Sequence, residues 1–375
     1  MSDLLLPEDG LLLHVGPHKT GTTAVQSAFF RARRALRAEG VSYPGRSRTP
    51  TQAVIAVTGG SPMTGEPPVD IRDWQRFVAS VPERGRVVVS NEFFADAQGA
   101  AVERVVTDLG RDRVHVVVTL RALDRIVPSQ WQQYVQNGRR GSWRRWLKGI
   151  LLDDVPTSSR FWVRHRHDVL VRRWADVVGP DRVTVVVVDE SDRSALLRVF
   201  EAMVGAPDGV LVPEPDRLNR SLTLPEVELV RALNREFRAR DWDPRDYRRF
   251  VRMGVNQMLK SAPPDPDASR VELPRWAITH LRDVSQEIVV DLRASGVHVV
   301  GELDSLVVDP ARSPRTRGAH PRTTSLPADV AARAVAGAIE AALEPQSGLK
   351  PMLRRARQLP PSEIIERVLP RGRRG

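Results

Sequence analysis

The sequence predicts an α/β fold in which a central parallel β-sheet carries helices on both faces. Short apolar runs alternate with segments whose apolar residues recur at helical spacing, the order expected when helices cross over between parallel strands. The runs are almost continuously apolar, as in strands that are buried on both faces. They occupy residues 11–15, 86–90, 114–120 and 182–188, and a short late strand is predicted at 297–300.

Helical periodicity defines the segments between and after these strands. Glycines or prolines close most of them, and Ser, Thr or Asp precede several, as expected at helix ends. A stretch at 46–68 is rich in Gly, Pro, Ser and Thr and is predicted to be a loop. The predicted helices cover 24–39, 69–81, 100–109, 161–177, 192–204, 225–238, 274–294 and 328–343.

The chain is long enough for a large α/β domain with additions. It has 375 residues, of which 41% are hydrophobic and 27% charged, values typical of a globular protein rather than a disordered one. Residues 309–327 contain hardly any apolar side chains and are predicted to form a linker. We therefore expect an α/β domain at 1–308 and a mainly helical, basic C-terminal extension at 328–375.

The basic charge is concentrated at the C-terminal end. The net charge is +11, and residues 345–375 hold eight basic and two acidic residues, a net charge of +6. The rest of the chain is only mildly basic, so we expect no nucleic-acid partner. Arginines and apolar residues interleave over 353–375, which leaves open a weak contact with an anionic membrane surface or simply a solvated tail.

The sequence contains no cysteine, which removes disulfides, thiol nucleophiles and Cys-ligated metals from consideration. The first residues lack the basic and apolar regions of a secretory signal, and no apolar run approaches the roughly 20 residues that a membrane helix needs. We expect a cytoplasmic protein. The sequence does not indicate an oligomeric state.

A loop at residues 16–23 joins the first predicted strand to the first helix and has the composition of an anion site. Glycines allow backbone N–H groups to approach an oxyanion, and the N-terminus of the following helix favours negative charge. A Walker A loop would place lysine directly after Gly21, where Thr22 stands, whereas Lys19 lies inside this loop. The loop predicts a phosphate or sulfate site, and an ordinary βα turn is the alternative.

A second candidate anion site follows the strand at 114–120. Arg121 comes directly after this strand, and Ser129 lies eight residues later on the next predicted helix, for which Asp124 is a candidate N-cap. The planar guanidinium can donate two hydrogen bonds to one phosphate, and a serine hydroxyl can bind a third oxygen. A surface arginine beside a helix-start serine is the alternative.

Both features resemble the sulfotransferases that use 3′-phosphoadenosine 5′-phosphosulfate (PAPS). Their 5′-phosphosulfate loop reads roughly K-[ST]-G-T-[TS], and an arginine and a serine eight residues apart hold the 3′-phosphate. The resemblance spans residues 10–240 and implies a P-loop-type sheet and an in-line sulfuryl transfer to a hydroxyl or amine, with no metal required. The implied cofactor-binding residues are Lys19, Thr20, Gly21, Thr22, Thr23, Arg121 and Ser129.

The resemblance also implies catalytic residues. Lys19 would stabilise the charge that develops on the leaving bridging oxygen. For the base we favour Glu92, just beyond the strand at 86–90, because some carbohydrate sulfotransferases use a glutamate there. Others use a histidine, so His14 and His18 are rivals, and Glu92 could instead pair structurally with an arginine.

The acceptor is not specified by the sequence. A carbohydrate or glycolipid is the favoured class, followed by a small-molecule natural product. Trp131, Gln132, Tyr134 and the 46–68 loop could form a cleft with aromatic and amide groups, although the same residues suit helix packing.

Two other functions remain open. A magnesium-dependent P-loop kinase or NTPase would use Lys19 together with Asp189, which follows the strand at 182–188 as in a Walker B element. Asp189 is better interpreted as the cap of the helix at 192–204. A non-catalytic anion- or nucleic-acid-binding protein is the other alternative.

Three further polar residues have less specific interpretations. His165 and His167 lie two apart rather than four, so we interpret them as ordinary helix histidines and not as metal ligands. Arg220, in an Asn-x-Ser segment that resembles one in bacterial sulfotransferase-like sequences, could reach the cofactor.

Overall fold

The computed structural model describes residues 4–152, 160–192, 194–213, 220–311 and 325–343. Six strands in these ranges form one sheet, and every pair of neighbours is parallel. In chain order they are β1 (Leu11–His14), β2 (Val41–Ser42), β3 (Arg86–Ser90), β4 (Val114–Leu120), β5 (Val183–Val187) and β6 (His298–Val300). Across the sheet their order is β2-β3-β1-β4-β5-β6. The predicted parallel sheet is confirmed.

Helices connect the strands and continue beyond them. A 3₁₀ turn at Glu92–Asp96 follows β3, and a π-helix occupies Tyr247–Val255. The α-helices are α1 (Thr22–Ala38), α2 (Thr51–Thr58), α3 (Ile71–Val78), α4 (Ala100–Leu109), α5 (Leu123–Gln136), α6 (Trp143–Leu151), α7 (Arg160–His165), α8 (His167–Val178), α9 (Ala195–Val204), α10 (Leu224–Ala239), α11 (Pro244–Asp246), α12 (Asn256–Ser261), α13 (Arg275–Ala294) and α14 (Ala328–Leu343).

The sheet has an apolar layer on each face. Successive side chains of a strand point to opposite faces, so Leu11 and Leu13 pack into one layer and Leu12 into the other. The first layer includes the buried residues of α4, α5 and α8, and the second includes those of α1 and α9. Helices therefore cover both faces, as the apolar strand runs predict.

The sheet order places a crevice at the carboxyl end of β1. His14 is in register with Ser90 of β3 and with Val117 of β4. The helix that follows β1 packs on one face of the sheet, and the helix that follows β4 packs on the other. In open α/β sheets, ligands bind outside the carboxyl ends of the strands where successive connections diverge in this way.

The structure corrects several predicted boundaries. The stretch 46–68 contains α2, whose Val54 and Ile55 are buried, because a short apolar run outweighs the flanking Gly and Pro. The helix predicted over 161–177 is two helices, which break at Arg166 (φ −75°, ψ 84°). The region after α10, whose periodicity is weak, is helical from Pro244 to Ser261 with a π-helical centre.

The start of α5 also differs from the prediction. Its N-cap is Ala122, so Asp124 lies in the first turn rather than at the cap. Pro128 consequently lies in the helix interior rather than in the first turn, where it removes one backbone hydrogen-bond donor from the helix.

The C-terminal helix α14 has the predicted bounds and packs against the π-helix and α12. A Cβ atom on Gly254 would lie 2.5 Å from the Gly337 carbonyl oxygen, so the two glycines allow the backbones to approach closely. Most of the predicted linker, and the basic segment at 353–375, lie outside the described residues. Among the helices that are described, none is long and apolar enough to cross a lipid bilayer.

Candidate functional site

The loop between β1 and α1 exposes the first turn of α1. Gly21 is the N-cap in a left-handed conformation (φ 89°) and has no side chain to bond the first-turn amides. The first turn contains no acidic residue. Lys19 also has a positive φ of 74°, which is uncommon for a residue with a side chain. The loop thus has the backbone shape and the charge that suit an oxyanion.

A chain of hydrogen bonds lies beneath this loop and connects it to three strands. Ser90 Oγ lies 2.8 Å from His14 Nδ1, and His14 Nε2 lies 3.1 Å from Thr119 Oγ1. Thr119 Oγ1 in turn lies 2.8 Å from Thr20 Oγ1, which donates to the Pro17 carbonyl across 2.7 Å.

The proton positions in this chain follow from counting donors. The Thr20 hydroxyl donates its single proton to Pro17, so Thr119 must donate to Thr20. Thr119 can then only accept from His14, which carries its proton on Nε2 and accepts from Ser90 at Nδ1. Each of the four groups therefore donates its hydrogen bond to the next one, in one direction from β3 to the loop.

His14 is a structural group in this arrangement. The ring is fully buried, and burial lowers its pKa to about 3, so it is neutral at physiological pH. A Cβ atom on Gly16 would lie 2.6 Å from His14 Nε2 and 2.2 Å from Thr22 Oγ1, so only glycine fits there. Both ring nitrogens are engaged inside the protein, away from the crevice.

The threonines of the loop differ in whether their hydroxyls are available to a ligand. The Thr20 hydroxyl is buried, and Thr22 Oγ1 donates to the Gly16 carbonyl across 3.2 Å. The sequence suggests all three hydroxyls as phosphate ligands, but these two stabilise the loop from inside. Thr23 is exposed.

Lys19 reaches α5 across the crevice. Its Nζ donates to Gln133 Oε1 across 2.9 Å. Burial is the main cause that lowers the pKa of Lys19 to about 8; the charges of Lys260 and Arg121 act in the same direction, and that of Glu92 acts in the opposite one. The ammonium is therefore mostly charged at neutral pH. Lys260, from α12, is a nearby cation that no sequence motif indicates.

Arg121 lies at the same end of the sheet as the loop. Its Nη1 donates to the Lys19 carbonyl across 3.3 Å, which links two motifs that are 102 residues apart. Its Nε and Nη2 donate to the two carboxylate oxygens of Glu190. Ser129 lies in α5, the helix that also carries Gln133. The structure thus brings together the elements that bear the two predicted motifs.

Glu92 follows β3 and opens the 3₁₀ turn. Asn91 caps that turn by accepting the Phe93 N–H across 2.9 Å. Glu92 Oε2 accepts from Gln26 Nε2 of α1 across 3.1 Å, which orients the carboxylate. Within the described residues no ion pair joins Glu92 to an arginine, while its charge acts on Lys19.

His18 lies on the opposite side of the loop from His14. Its ring meets the edge of the Phe93 ring with centroids 5.0 Å apart, and within the described ranges Nδ1 is buried with no hydrogen-bond partner. Burial holds the pKa of His18 well below its usual value, and the charges of Arg164 and His165 lower it further. The neutral ring keeps a lone pair that could accept a proton.

A buried ion pair forms the wall behind Phe93. Arg164 donates to both carboxylate oxygens of Asp96, across 2.5 and 2.6 Å, and its guanidinium lies 5.6 Å from the Phe93 ring centroid. No sequence pattern indicates Arg164, because the chain is so rich in arginine that no single one stands out. His165 and His167 are buried beside it with ring centroids 6.2 Å apart, and in the described chain no three potential metal ligands form a group.

Two residues suggested for an acceptor cleft are instead part of the packing. Trp131 is fully buried with its ring centroid 5.3 Å from that of Trp143. Gln132 is 6% exposed and accepts the Leu222 N–H across 3.0 Å. Tyr134 is partly exposed and has the Trp146 ring beside it at 5.8 Å.

Asp189 forms a local turn. One of its oxygens accepts from both the N–H and the hydroxyl of Ser191, at 2.7 and 2.6 Å. Asp192 rather than Asp189 accepts the amides of Ser194 and Ala195 at the start of α9. Asp189 does form a turn after β5, but it does not cap α9, whose N-cap is Ser194.

Arg220 is committed to packing. It donates to both oxygens of Glu226, across 2.8 and 2.7 Å, and to the carbonyl oxygens of Leu259 and Ala262. The pair joins α10 to α12 and is almost buried, so Arg220 is tied within the protein. Asn219, from the same predicted segment, lies outside the described residues.

Comparison with known proteins adds a distant structural similarity to this geometry. No family model matches the chain, and no curated protein matches it. Among solved structures the chain is similar to a sulfotransferase from Alicyclobacillus acidocaldarius, with 17% sequence identity and a TM-score of 0.39. The alignment covers 63% of this chain and 94% of that one. A likeness of this extent does not establish a family for the chain.

Proposed function

We propose that this chain is a sulfotransferase that transfers the sulfuryl group of PAPS to a hydroxyl or amine of an acceptor. The observation that carries the proposal is the contact of Arg121 with the Lys19 carbonyl at the carboxyl ends of β1 and β4. The two sequence features that resemble PAPS-binding motifs therefore meet in one crevice.

Different residues are assigned to different parts of the PAPS donor. The backbone amides of the loop, with the Thr23 hydroxyl, would hold the 5′-phosphate, since the Thr20 and Thr22 hydroxyls bond inside the loop. Arg121 and Ser129 would hold the 3′-phosphate. Lys19 would stabilise the negative charge on the bridging oxygen as the sulfur–oxygen bond breaks.

The position of Glu92 suits a base. Its carboxylate would take the proton of the acceptor hydroxyl while the acceptor oxygen attacks sulfur and adenosine 3′,5′-bisphosphate (PAP) leaves. Neutral His18 is the remaining rival, because its Nδ1 has no hydrogen-bond partner among the described residues. Both nitrogens of His14 are engaged by Ser90 and Thr119, so we no longer propose it as a base.

An aromatic side chain of α5 bears on the acceptor class. Tyr134 of α5 is partly exposed, and an aromatic ring of this kind suits a sugar ring. We favour a carbohydrate or glycolipid acceptor, with a small molecule as the second choice.

Calorimetric binding of PAP without magnesium tests the proposal. We expect micromolar binding to the wild type and a loss of about 10- to 100-fold in Arg121→Ala, because the variant removes charge-assisted hydrogen bonds to the phosphate. Arg125→Ala is the matched control: Arg125 is exposed in the first turn of α5 and should not affect binding.

Two results would contradict the proposal. Equal PAP affinity in wild type and Arg121→Ala would remove the assigned 3′-phosphate site. No PAP binding to the wild type, together with magnesium-dependent ATP binding, would favour the kinase alternative and make Asp189 the next residue to replace.

A further inference from the structure

The donor groups of Arg121 already have partners within the protein. Its Nε and Nη2 donate to the two oxygens of Glu190, the second across 2.9 Å, and Nη1 donates to the Lys19 carbonyl. A guanidinium presents two paired edges to a phosphate, Nε with Nη2 and Nη1 with Nη2. Glu190 occupies the first edge, and the Lys19 carbonyl accepts one of the two Nη1 protons at the second. A phosphate therefore cannot bind the Nε–Nη2 edge while Glu190 stays in place, and at the other edge it would lie beside the Glu190 carboxylate.

The surroundings of Glu190 add to this conflict. It lies in an acidic turn between Asp189 and Ser191, and Asp192 follows one residue later. The hydrogen bonds of Asp189 to Ser191, and of Asp192 to α9, fix those two carboxylates in the turn. A doubly charged phosphate that approached Arg121 would be repelled most strongly by Glu190, the carboxylate in direct contact with the guanidinium.

Glu190 can separate from Arg121 more easily than a buried partner could. Its side chain is 50% exposed, and that of Arg121 is 28% exposed. An ion pair this open to solvent contributes little to folding and can exchange partners. Arg121 itself keeps its contact with the Lys19 carbonyl, so the guanidinium stays beside the loop when the carboxylate leaves.

We propose that Glu190 is an internal competitor for the 3′-phosphate of the nucleotide. It holds Arg121 while the crevice is empty and is displaced when PAPS or PAP binds. This inference rests on the proposed function. Its consequence is that Glu190 weakens the binding of nucleotides that carry a 3′-phosphate, which favours release of PAP after transfer. Nucleotides without that phosphate do not need to displace it.

The test compares Glu190→Gln with the wild type by calorimetry, with PAP and with adenosine 5′-phosphate as probes. The substitution keeps the side-chain shape and removes the charge, so PAP should bind about 3- to 10-fold tighter, while adenosine 5′-phosphate should bind with unchanged affinity. Glu236→Gln is the matched control, since it removes the same charge from an exposed pair with Arg240 on α10. It should leave both affinities unchanged.

A double variant isolates the mechanism. Adding Glu190→Gln to Arg121→Ala should give no gain in PAP affinity, because the competition acts through the guanidinium. A wild type that binds PAP while Glu190→Gln binds it equally or more weakly would overturn the inference and leave the proposed function standing. A wild type that does not bind PAP would overturn the proposed function and this inference with it.

Discussion

Glu92 combines a fixed orientation with an accessible charge. Gln26 holds its Oε2, and within the described residues Oε1 accepts no hydrogen bond. Its charge stabilises the protonated form of Lys19, so the two groups act on one another across the crevice. A carboxylate and an ammonium placed in this way can act on different groups, the carboxylate on the acceptor proton and the ammonium on the leaving oxygen.

We expect Glu92→Gln to lower kcat by about 10²- to 10⁴-fold, the usual contribution of a general base. The introduced amide oxygen can still accept the hydrogen bond from Gln26, so PAP affinity should be nearly unchanged. The measurement is PAP release from PAPS in the presence of an acceptor. Glu103→Gln, on the exposed surface of α4, is the control.

Nearly full kcat in a correctly folded Glu92→Gln would rule out this assignment. His18→Asn would then be the next variant to measure, because the imidazole is the other proton acceptor in the crevice. A loss of PAP binding in Glu92→Gln would instead indicate a role in holding the nucleotide.

At the scale of elements, the hydrogen bonds beneath the loop tie β3, β1 and β4 to the residues that precede α1. Ser90, His14 and Thr119 each come from a different strand, and Thr20 belongs to the loop. Parallel pairing fixes the spacing of the strands, and the side-chain bonds transfer that spacing to the loop. The loop conformation therefore depends on groups that touch no ligand.

We expect His14→Leu to weaken both folding and PAP binding. The substitution leaves the Ser90 hydroxyl without its acceptor in the core, which costs about 1–3 kcal/mol, and removes the donor to Thr119, which keeps its bond to Thr20. Thermal unfolding and calorimetry measure the two effects. His298→Leu, at an exposed position of β6, is the control.

Should His14→Leu fail to fold, Ser90→Ala tests the same idea more gently. It removes only the donor to Nδ1, and we expect a smaller loss of PAP affinity with the fold intact. Wild-type PAP affinity in a folded His14 variant would mean that the loop keeps its shape without these bonds.

For the molecule as a whole, local patterns predicted the sheet and the loop that joins β1 to α1. Strands buried on both faces must be almost continuously apolar, and a loop such as 16–23 carries its glycines and lysine within a few residues. The partners of those residues were not predictable. Glu190 on Arg121 and Lys260 near Lys19 are contacts between distant segments, and neither follows from spacing along the chain.

The abundance of arginine also kept the sequence from indicating Arg164. The chain holds 57 basic residues, of which all but four are arginine, so composition does not separate Arg164, with its partner Asp96, from the many exposed ion pairs. Because arginine is so abundant, the sequence also does not predict which partners a given arginine contacts. Arg220 lies in the Asn-x-Ser segment, yet Glu226 and two carbonyl oxygens accept its hydrogen bonds.

The buried histidines make the stability of the whole protein depend on pH. Burial is the largest cause of a lowered pKa for all five, with values of about 3 for His14 and about 4 for His115 and His167. The other two are His18 and His165. An unfolded chain protonates each of them below about pH 6.5, whereas the folded chain keeps them neutral. Unfolding therefore takes up protons, and stability must fall as the pH falls below 6.5.

We expect the unfolded state to bind about four more protons than the folded state near pH 5.5, which lies above the range in which ordinary carboxylates titrate. The free energy of unfolding should then fall by roughly 5 kcal/mol for one pH unit. Urea unfolding at pH 7, 6 and 5.5 measures this slope. His167→Gln should reduce it by about one proton. A stability that stays constant between pH 7 and 5.5 would show that these rings do not stay neutral in the folded state.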